Sequence, residues 1–291
     1  MSDLEHFIRA CYLKTGGWLP AMPLGANLDL GDFCQIQGGE VRTLGNVLRL
    51  NGVGDGKSCL GEISFSLDGR NWRLSSGVNQ SYCASEQTAD EEGTLSFRTR
   101  QELQFAGRGS FLFHGCQPRC EVLTNWSDFE ADITIQLTQR TFAFRHLYVV
   151  TQLVSIDDWA LAIARDDNAQ LRTSADMKES DYFRLFSHHS SHIEQSNNVD
   201  SFMHAEGTSA KFFKAKKLVL KQRKRDQFLD EILQARIGQT QVRQGVGDED
   251  LAMWLNADLL NLVESNELNI ATCMDFFTWA DTTLDEAELL C

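Results

Sequence analysis

Residues 244 to 291 carry eleven acids and no lysine or arginine. The acids are Asp248, Glu249, Asp250, Asp258, Glu264, Glu267, Asp275, Asp281, Asp285, Glu286 and Glu288. Directly before them, residues 211 to 243 hold ten basic side chains against Asp226, Asp230 and Glu231. The basic ones are Lys211, Lys214, Lys216, Lys217, Lys221, Arg223, Lys224, Arg225, Arg236 and Arg243. A chain divided in this way offers a cationic surface suited to anionic lipid or nucleic acid, then a tail of opposite sign able to cover it. A solvated helix face with a solubilising acidic end would show the same charges, so a second feature has to decide.

That feature is the apolar content of the tail. Leu251, Trp254, Leu255, Leu259, Leu262 and Val263 recur at spacings of three and four, which puts them on one face of a helix. Such a stripe has to be buried. Leu268, Ile270, Met274, Phe276, Phe277 and Trp279 add a second apolar segment, too rich in large side chains for a disordered end. The tail, residues 251 to 291, is therefore expected to dock on a body formed by residues 1 to 237, with these apolar side chains as its autoinhibitory contacts. Gly238, Gly245 and Gly247 punctuate a polar run that reads as an exposed, protease-sensitive linker over residues 238 to 250. Arg236 and Arg243 are its candidate cleavage positions for a protease that cuts after a basic residue. A cut near Asn266 to Asn269 would suit a shorter inhibitory peptide.

At 291 residues and 42% hydrophobic content, the chain is long enough for one large core plus an appendage. No run approaches the roughly 18 to 20 consecutive apolar residues of a membrane-spanning helix, and no basic segment followed by a hydrophobic run opens the chain. A cytoplasmic location is the expectation, with membrane contact arising later through a conformational change or a lipid anchor. Eight cysteines without scaffold spacing read as reduced thiols. Three prolines leave room for long regular elements.

Ser2 to Glu5 has the capping-box pattern, Leu4, Phe7, Ile8 and Cys11 follow on one helical face, and Gly16-Gly17 ends the element. Thereafter the period changes to two. Leu95, Phe97 and Thr99 alternate with polar residues, as do Ala131, Ile133, Ile135 and Leu137, and Val41 to Leu50, Glu62 to Leu67 and His146 to Val154 are further extended candidates. Glycine-rich turns at 52 to 56, 68 to 69, 92 to 93 and 106 to 109 suggest hairpins. Helix returns at Arg223 to Arg236, with Phe228, Leu229, Ile232 and Leu233 as its buried stripe. The expected fold is α+β: a twisted, mostly antiparallel sheet flanked by helices, with a short helical C-terminal tail docked on it.

No enzyme motif survives its spacing test. Gly56-Lys57-Ser58 would complete a phosphate loop only with glycine at position 51, which is Asn51, and a strand-like run follows in place of the required helix. His114, Cys116 and Cys120, with His188, His189 and His192, lack the paired knuckles or His-Glu-x-x-His helix of zinc sites. No Gly-x-Ser-x-Gly elbow is present. The expectation is a protein without catalytic residues or a metal. Nucleic-acid binding is disfavoured by the net charge of −14 while the tail is attached. Of that charge, −11 resides in residues 244 to 291, which leaves −3 on the remainder. A body freed of its tail is nearly neutral overall with a basic face, gaining about 1 kcal/mol per basic residue near an anionic membrane.

The opening segment, Phe7 to Leu24, resembles the first helix, glycine pair and hydrophobic-proline strand that begin the pore-forming domain of gasdermins. His146 to Val154, followed by Trp159 to Ala164, is similar to a gasdermin strand of the form Tyr-Val-Val-Thr-Glu and its hairpin partner. Lys211 to Leu220 sits where that family has a lysine-containing strand. A short inhibitory tail resembles the bacterial members, which lack the large C-terminal domain of the animal proteins. The resemblance implies a cytoplasmic monomer at rest, and release by a caspase-like or trypsin-like partner protease. It further implies contact of the basic set Lys211 to Arg225 with anionic lipid, and oligomerisation in the inner membrane into a pore that kills the cell in antiphage defence. It also implies a lipidated cysteine near the N-terminus, for which Cys11 is the candidate to carry a palmitoyl group, or else a plain core cysteine. Thr94 to Arg100, Phe129 to Leu137 and His146 to Val154 are the stretches expected to offer one lipid face and one wet face. The alternative from the residues alone is a soluble interaction or nucleic-acid-binding module tuned by its acidic tail.

Overall fold

A computed structural model of the chain describes residues 3–37, 40–50, 58–60, 71–89, 95–138, 147–177, 191–203, 208–221, 223 and 277–283. Helix α1 spans Asp3–Thr15 and buries Phe7, Ile8 and Cys11, the stripe expected from their spacing. It stops because Gly16 and Gly17 adopt positive φ of 72° and 97°, and the Gly17 amide donates back to the Tyr12 carbonyl at 2.8 Å.

Strands follow as β1 (Leu19–Pro20), β2 (Asp32–Gln37), β3 (Glu40–Asn46), β4 (Ser58–Leu60), β5 (Asn71–Ser76), β6 (Val78–Ala89), β7 (Leu95–Phe105), β8 (Phe111–Cys116) and β9 (Arg119–Leu123). Helix α2 (Trp126–Thr138) comes next. After it run β10 (Tyr148–Ile156), β11 (Asp158–Ala164), β12 (Gln170–Met177), β13 (His192–Asn197), β14 (Val199–Met203), β15 (Ala210–Leu220) and, from the tail, β16 (Phe277–Asp281).

The strands form three antiparallel sheets. The smaller two have the orders β14-β11-β8-β5 and β13-β12-β7-β6, and the third, of eight strands, is centred on β15 and β10. Consecutive strands step from one sheet to the next: β5 to β6, β7 to β8 to β9, β10 to β11 to β12, and β13 to β14. The steps between the two small sheets occur at left-handed residues, Gly77 (φ 64°) and Asn198 (φ 52°) on the outer runs and Gly109 (φ 77°) and Asn168 (φ 62°) on the inner ones.

Alternation along these strands fills two faces at once. In β8, Phe111 and Phe113 enter a core with α1, where Phe7 meets Phe111 edge-on at 5.2 Å, while Leu112 packs on the other face against Ala160, Ala162 and Ala164. In β10, Tyr148 and Val150 join the first core and Val149 joins a further one with α2. Strands covered on both faces read as unbroken apolar runs in sequence.

The α+β class and the antiparallel pairing agree with the sequence, and several local expectations do not. Phe129 to Leu137 is not a membrane-facing strand but the core of α2. Its alternating apolar residues also fit a period of four, and Ile133 and Leu137 are buried together on one helical side. Of His146 to Val154, the described residues are not one-sided either, since β10 is buried on both faces in the centre of its sheet, and His146 lies outside the described residues. Trp159 to Ala164 lies in a different sheet from β10 and is not its hairpin partner. The extended run after Val41 ends at Asn46, whose side chain accepts from the Leu48 amide at 2.9 Å and starts a 3-10 turn over Val47–Arg49. Residues 106 to 109 link two sheets and close no hairpin. Glu62 to Leu67, the turns at 52 to 56, 68 to 69 and 92 to 93, and the helix at 224 to 236 lie outside the described residues.

Gly77 is the strictest of the bends, because a Cβ there would also lie 2.5 Å from the Ser110 hydroxyl oxygen. Gly77→Ala is expected to lower stability by about 1–2 kcal/mol or more from left-handed strain alone, read from the urea midpoint of unfolding.

Candidate functional site

The lysine-containing strand β15 is where the body and the tail meet. On its inner side it pairs with β10 from Ala210↔Ile156 to Lys217↔Tyr148. Its outer side is shared between β1, which takes Phe212 and Phe213, and β16, which takes Lys216 to Leu220. The β16 register runs Lys216↔Asp281, Lys217↔Ala280, Leu218↔Trp279, Val219↔Thr278 and Leu220↔Phe277. Thr282 closes it, its amide and its hydroxyl each donating to the Ala215 carbonyl at 2.9 Å. A segment that begins 57 positions beyond Leu220 (277 − 220) therefore occupies an edge that would otherwise template pairing with another chain.

Side chains fix this strand more firmly than its charges. Phe277 is 1% exposed and Trp279 9%, and both enter the core formed by Phe33, Val47, Leu123, Ile133, Leu137, Leu147, Val149 and Leu218. The Trp279 ring meets Trp126 edge-on at 5.0 Å, and its indole N–H donates to the Thr134 hydroxyl at 2.9 Å. Helix α2 is thus the seat of the tail. Lys216 and Asp281 form an ion pair at 2.9 Å, but the Asp281 side chain is 84% exposed and such a pair contributes less than about 1 kcal/mol. The charge asymmetry of the sequence points to the right two segments, while burial and backbone pairing do most of the holding.

The lysines of β15 are correspondingly engaged within the fold. Lys211 donates to the Ser155 hydroxyl at 2.8 Å, Lys214 lies 5.0 Å above the Trp18 ring, and Lys217 lies 5.1 Å above Tyr148 and reaches its hydroxyl at 3.3 Å. These lysines and Lys221 are half-buried, and Arg223 is exposed. Lys224, Arg225, Arg236, Arg243, Leu251, Trp254, Leu255, Leu259, Leu262, Val263 and Phe276 lie outside the described residues, as does the linker. The described part of the tail holds a strand, Phe277–Asp281, and the helix expected over 251 to 263 lies outside the described residues.

Cys11 is fully buried among the side chains of the α1 core. Burial pushes its thiol well up, and Lys14 offsets this only in part. Burial likewise pushes Cys34 up to about 12. His114, Cys116 and Cys120 are buried in β8 and β9, and His192 bonds to the Ser174 hydroxyl at 2.8 Å. Among the described residues no group of three or more His, Cys, Asp or Glu is placed to hold a metal ion. No helix among them is long and apolar enough to cross a membrane.

Sequence reasoning missed Trp126 and Thr134 as receivers of the tail. A helical spacing of Trp126 with Ile133 and Leu137 was present, hidden by the competing alternation. No family model matches the chain, and no curated protein matches it.

Trp279→Ala is expected to weaken tail docking by about 3–5 kcal/mol, against under about 1 kcal/mol for Lys216→Ala, a difference that shrinks no further in high salt. Hydrogen exchange at residues 216 to 220 reads both, and equal effects would contradict the ranking. Because the thiolate is the reactive form, Cys11 and Cys34 should resist iodoacetamide at pH 8 in the folded chain and react in urea, as mapped by mass spectrometry.

Proposed function

We propose that the chain is an autoinhibited pore-forming protein of the gasdermin kind, held silent by β16 on the open edge of β15. Docking of Phe277 and Trp279 beside that edge is the observation that carries the reading. Backbone cannot enter hydrocarbon with unpaired groups, so a strand-built pore requires several copies to close one sheet. An edge already filled by the chain's own tail is closed to a neighbour. Proteolysis in the linker, at Arg236, Arg243 or nearby, frees the tail, the body meets anionic lipid, and oligomerisation in the inner membrane kills the cell. The likeness of Phe7 to Leu24 and of the β10 and β15 sequences to gasdermins is what names the family in this proposal.

The small sheet of β6, β7, β12 and β13 supports it further, and is a better source of membrane strands than β10. Thr99, Gln101, Leu103 and Phe105 of β7, with Leu171, Thr173 and Ala175 of β12, are uncharged and buried. They alternate with the charged Arg100, Glu102 and Arg172. One neutral face and one charged face is the pattern a barrel strand needs. Thr99, Gln101 and Thr173 each keep a buried oxygen without a hydrogen-bond partner among the described residues, so this face is imperfectly satisfied at rest.

The test places a specific protease site in residues 238 to 250 of the full chain and measures dye release from anionic liposomes before and after the cut, with Trp279→Ala added to speed tail departure. The expected outcome is release only after the cut, faster in the variant. Intact liposomes around a cut, folded protein would end the reading and promote the soluble binding module.

A further inference from the structure

The two inner strand runs keep one register through all three sheets. From Gln104↔Gln170 to Phe111↔Ile163 the first strand advances seven residues and the second retreats seven. From Phe111↔Ile163 to Val122↔Gln152 the steps are eleven and eleven. Between the two small sheets, however, residues 106–109 and 165–168 leave the ladder in two facing excursions of four residues each. Backbone bonds resume on either side, Phe105 N to Ala169 O at 3.0 Å and Ala164 N to Ser110 O at 2.8 Å.

The outer runs cross the same junction by a shorter path. From Val78↔Phe105 to Ser76↔Phe111 the outer strand moves two residues while the inner one moves six, a surplus of four. From Gln170↔Asn197 to Ala164↔Val199 the inner strand again moves six against two, also a surplus of four. Both inner strands therefore hold the same excess length, already in register with each other.

We infer that these excursions are stored strand. This rests on the pore-forming reading. On activation, 106–109 and 165–168 pair with each other in the register set around them, and the outer strands slip by four residues. The product is one unbroken ribbon of Phe97–Cys116 against Asp158–Met177, longer by about 13 Å at 3.3 Å per residue. A slip of four is even, so every side chain keeps its face. The ribbon ends at Cys116 because Gln117 is left-handed (φ 51°) and Pro118 has no N–H to donate.

Arg108 is the switch within the excursion. At rest its Nε donates to both carboxylate oxygens of Asp3 in α1, at 2.9 and 3.1 Å, and its amide donates to the Asp167 carboxylate at 3.3 Å. In the joined register it stands opposite Asp166, so the ion pair to α1 is exchanged for one across the ribbon. The left-handed residues of the excursions, Gly109 and Asn168, are of the types that pass most easily between left-handed and extended backbone. In the joined register Arg165 and Asp167 fall on the neutral face at the middle of the ribbon, opposite Gly109 and Gly107, between the run from Thr99 to Phe105 and Phe111.

Hydrogen exchange on the full chain carrying the linker protease site, with vesicles containing phosphatidylglycerol, tests this. The amides of Gly107, Asp166 and Asn168 are expected to exchange quickly at rest and at least tenfold more slowly after cutting, whereas those of Ala106, Gly109, Ser110 and Arg165 already donate to the Gly77, Ala164, Gly107 and Asn198 carbonyls and serve as the protected reference. Leakage without that slowing sinks the stored strand and leaves the pore reading standing; absence of leakage sinks both. A second arm uses His6→Cys with Gly109→Cys, since a Cβ on Gly109 lies 3.9 Å from that of His6, close to disulfide geometry. Oxidation should suppress leakage at least tenfold and dithiothreitol restore it, whereas equal leakage with the cross-link verified by mass would overturn the proposal.

Discussion

Strand β15 presents backbone donors and acceptors on both sides, and those on its outer side have to be satisfied by something. Its own N-terminal neighbour β1 is only two residues long and covers Phe212 and Phe213. The remainder of the edge is completed by β16, drawn from the far end of the chain. The placement of the described tail residues, 277–283, follows from that completion. Once β16 lies beside β15, alternate residues Phe277 and Trp279 point into one core, and α2 has to be where it is to receive them.

The same constraint shapes the body. Long strands that stay in one flat sheet would leave long open edges, whereas here the runs bend from sheet to sheet, and β8, β10 and β11 are buried on both faces. The first core joins α1 to the inner faces of β5, β8, β11 and β15, with Trp72, Phe113 and Phe212 in edge-on contact. The second joins α2, β10 and β16, so one set of packed side chains holds the described part of the tail to the rest of the fold. Removing the tail exposes both an edge and part of a core, and two exposed surfaces of different chemistry favour association more than either alone.

The sequence made parts of this legible for physical reasons. Helix α1 combines an apolar stripe with two glycines that end it, and no competing period disturbs it. Residues 131 to 137 satisfied both a period of two and a period of four, and only contact with the second core decides between them. The division into three sheets left almost no mark, because a single left-handed residue such as Gly77 or Asn198 suffices to turn a strand. In the tail, charge located the partners Lys216 and Asp281 but named the weaker force, and Trp279 owes its importance to α2, which the alternation had concealed.

The central claim is that occupancy of one strand edge keeps the body silent, and a peptide supplied in trans addresses it most directly. The chain would be cut in its linker in the presence of anionic vesicles and increasing amounts of a synthetic peptide covering Asp275 to Thr283. Dose-dependent suppression of leakage by this peptide, and none by the same peptide with Trp279→Ala, is the predicted result. Leakage that ignores both peptides, or that responds equally to both, would contradict the account.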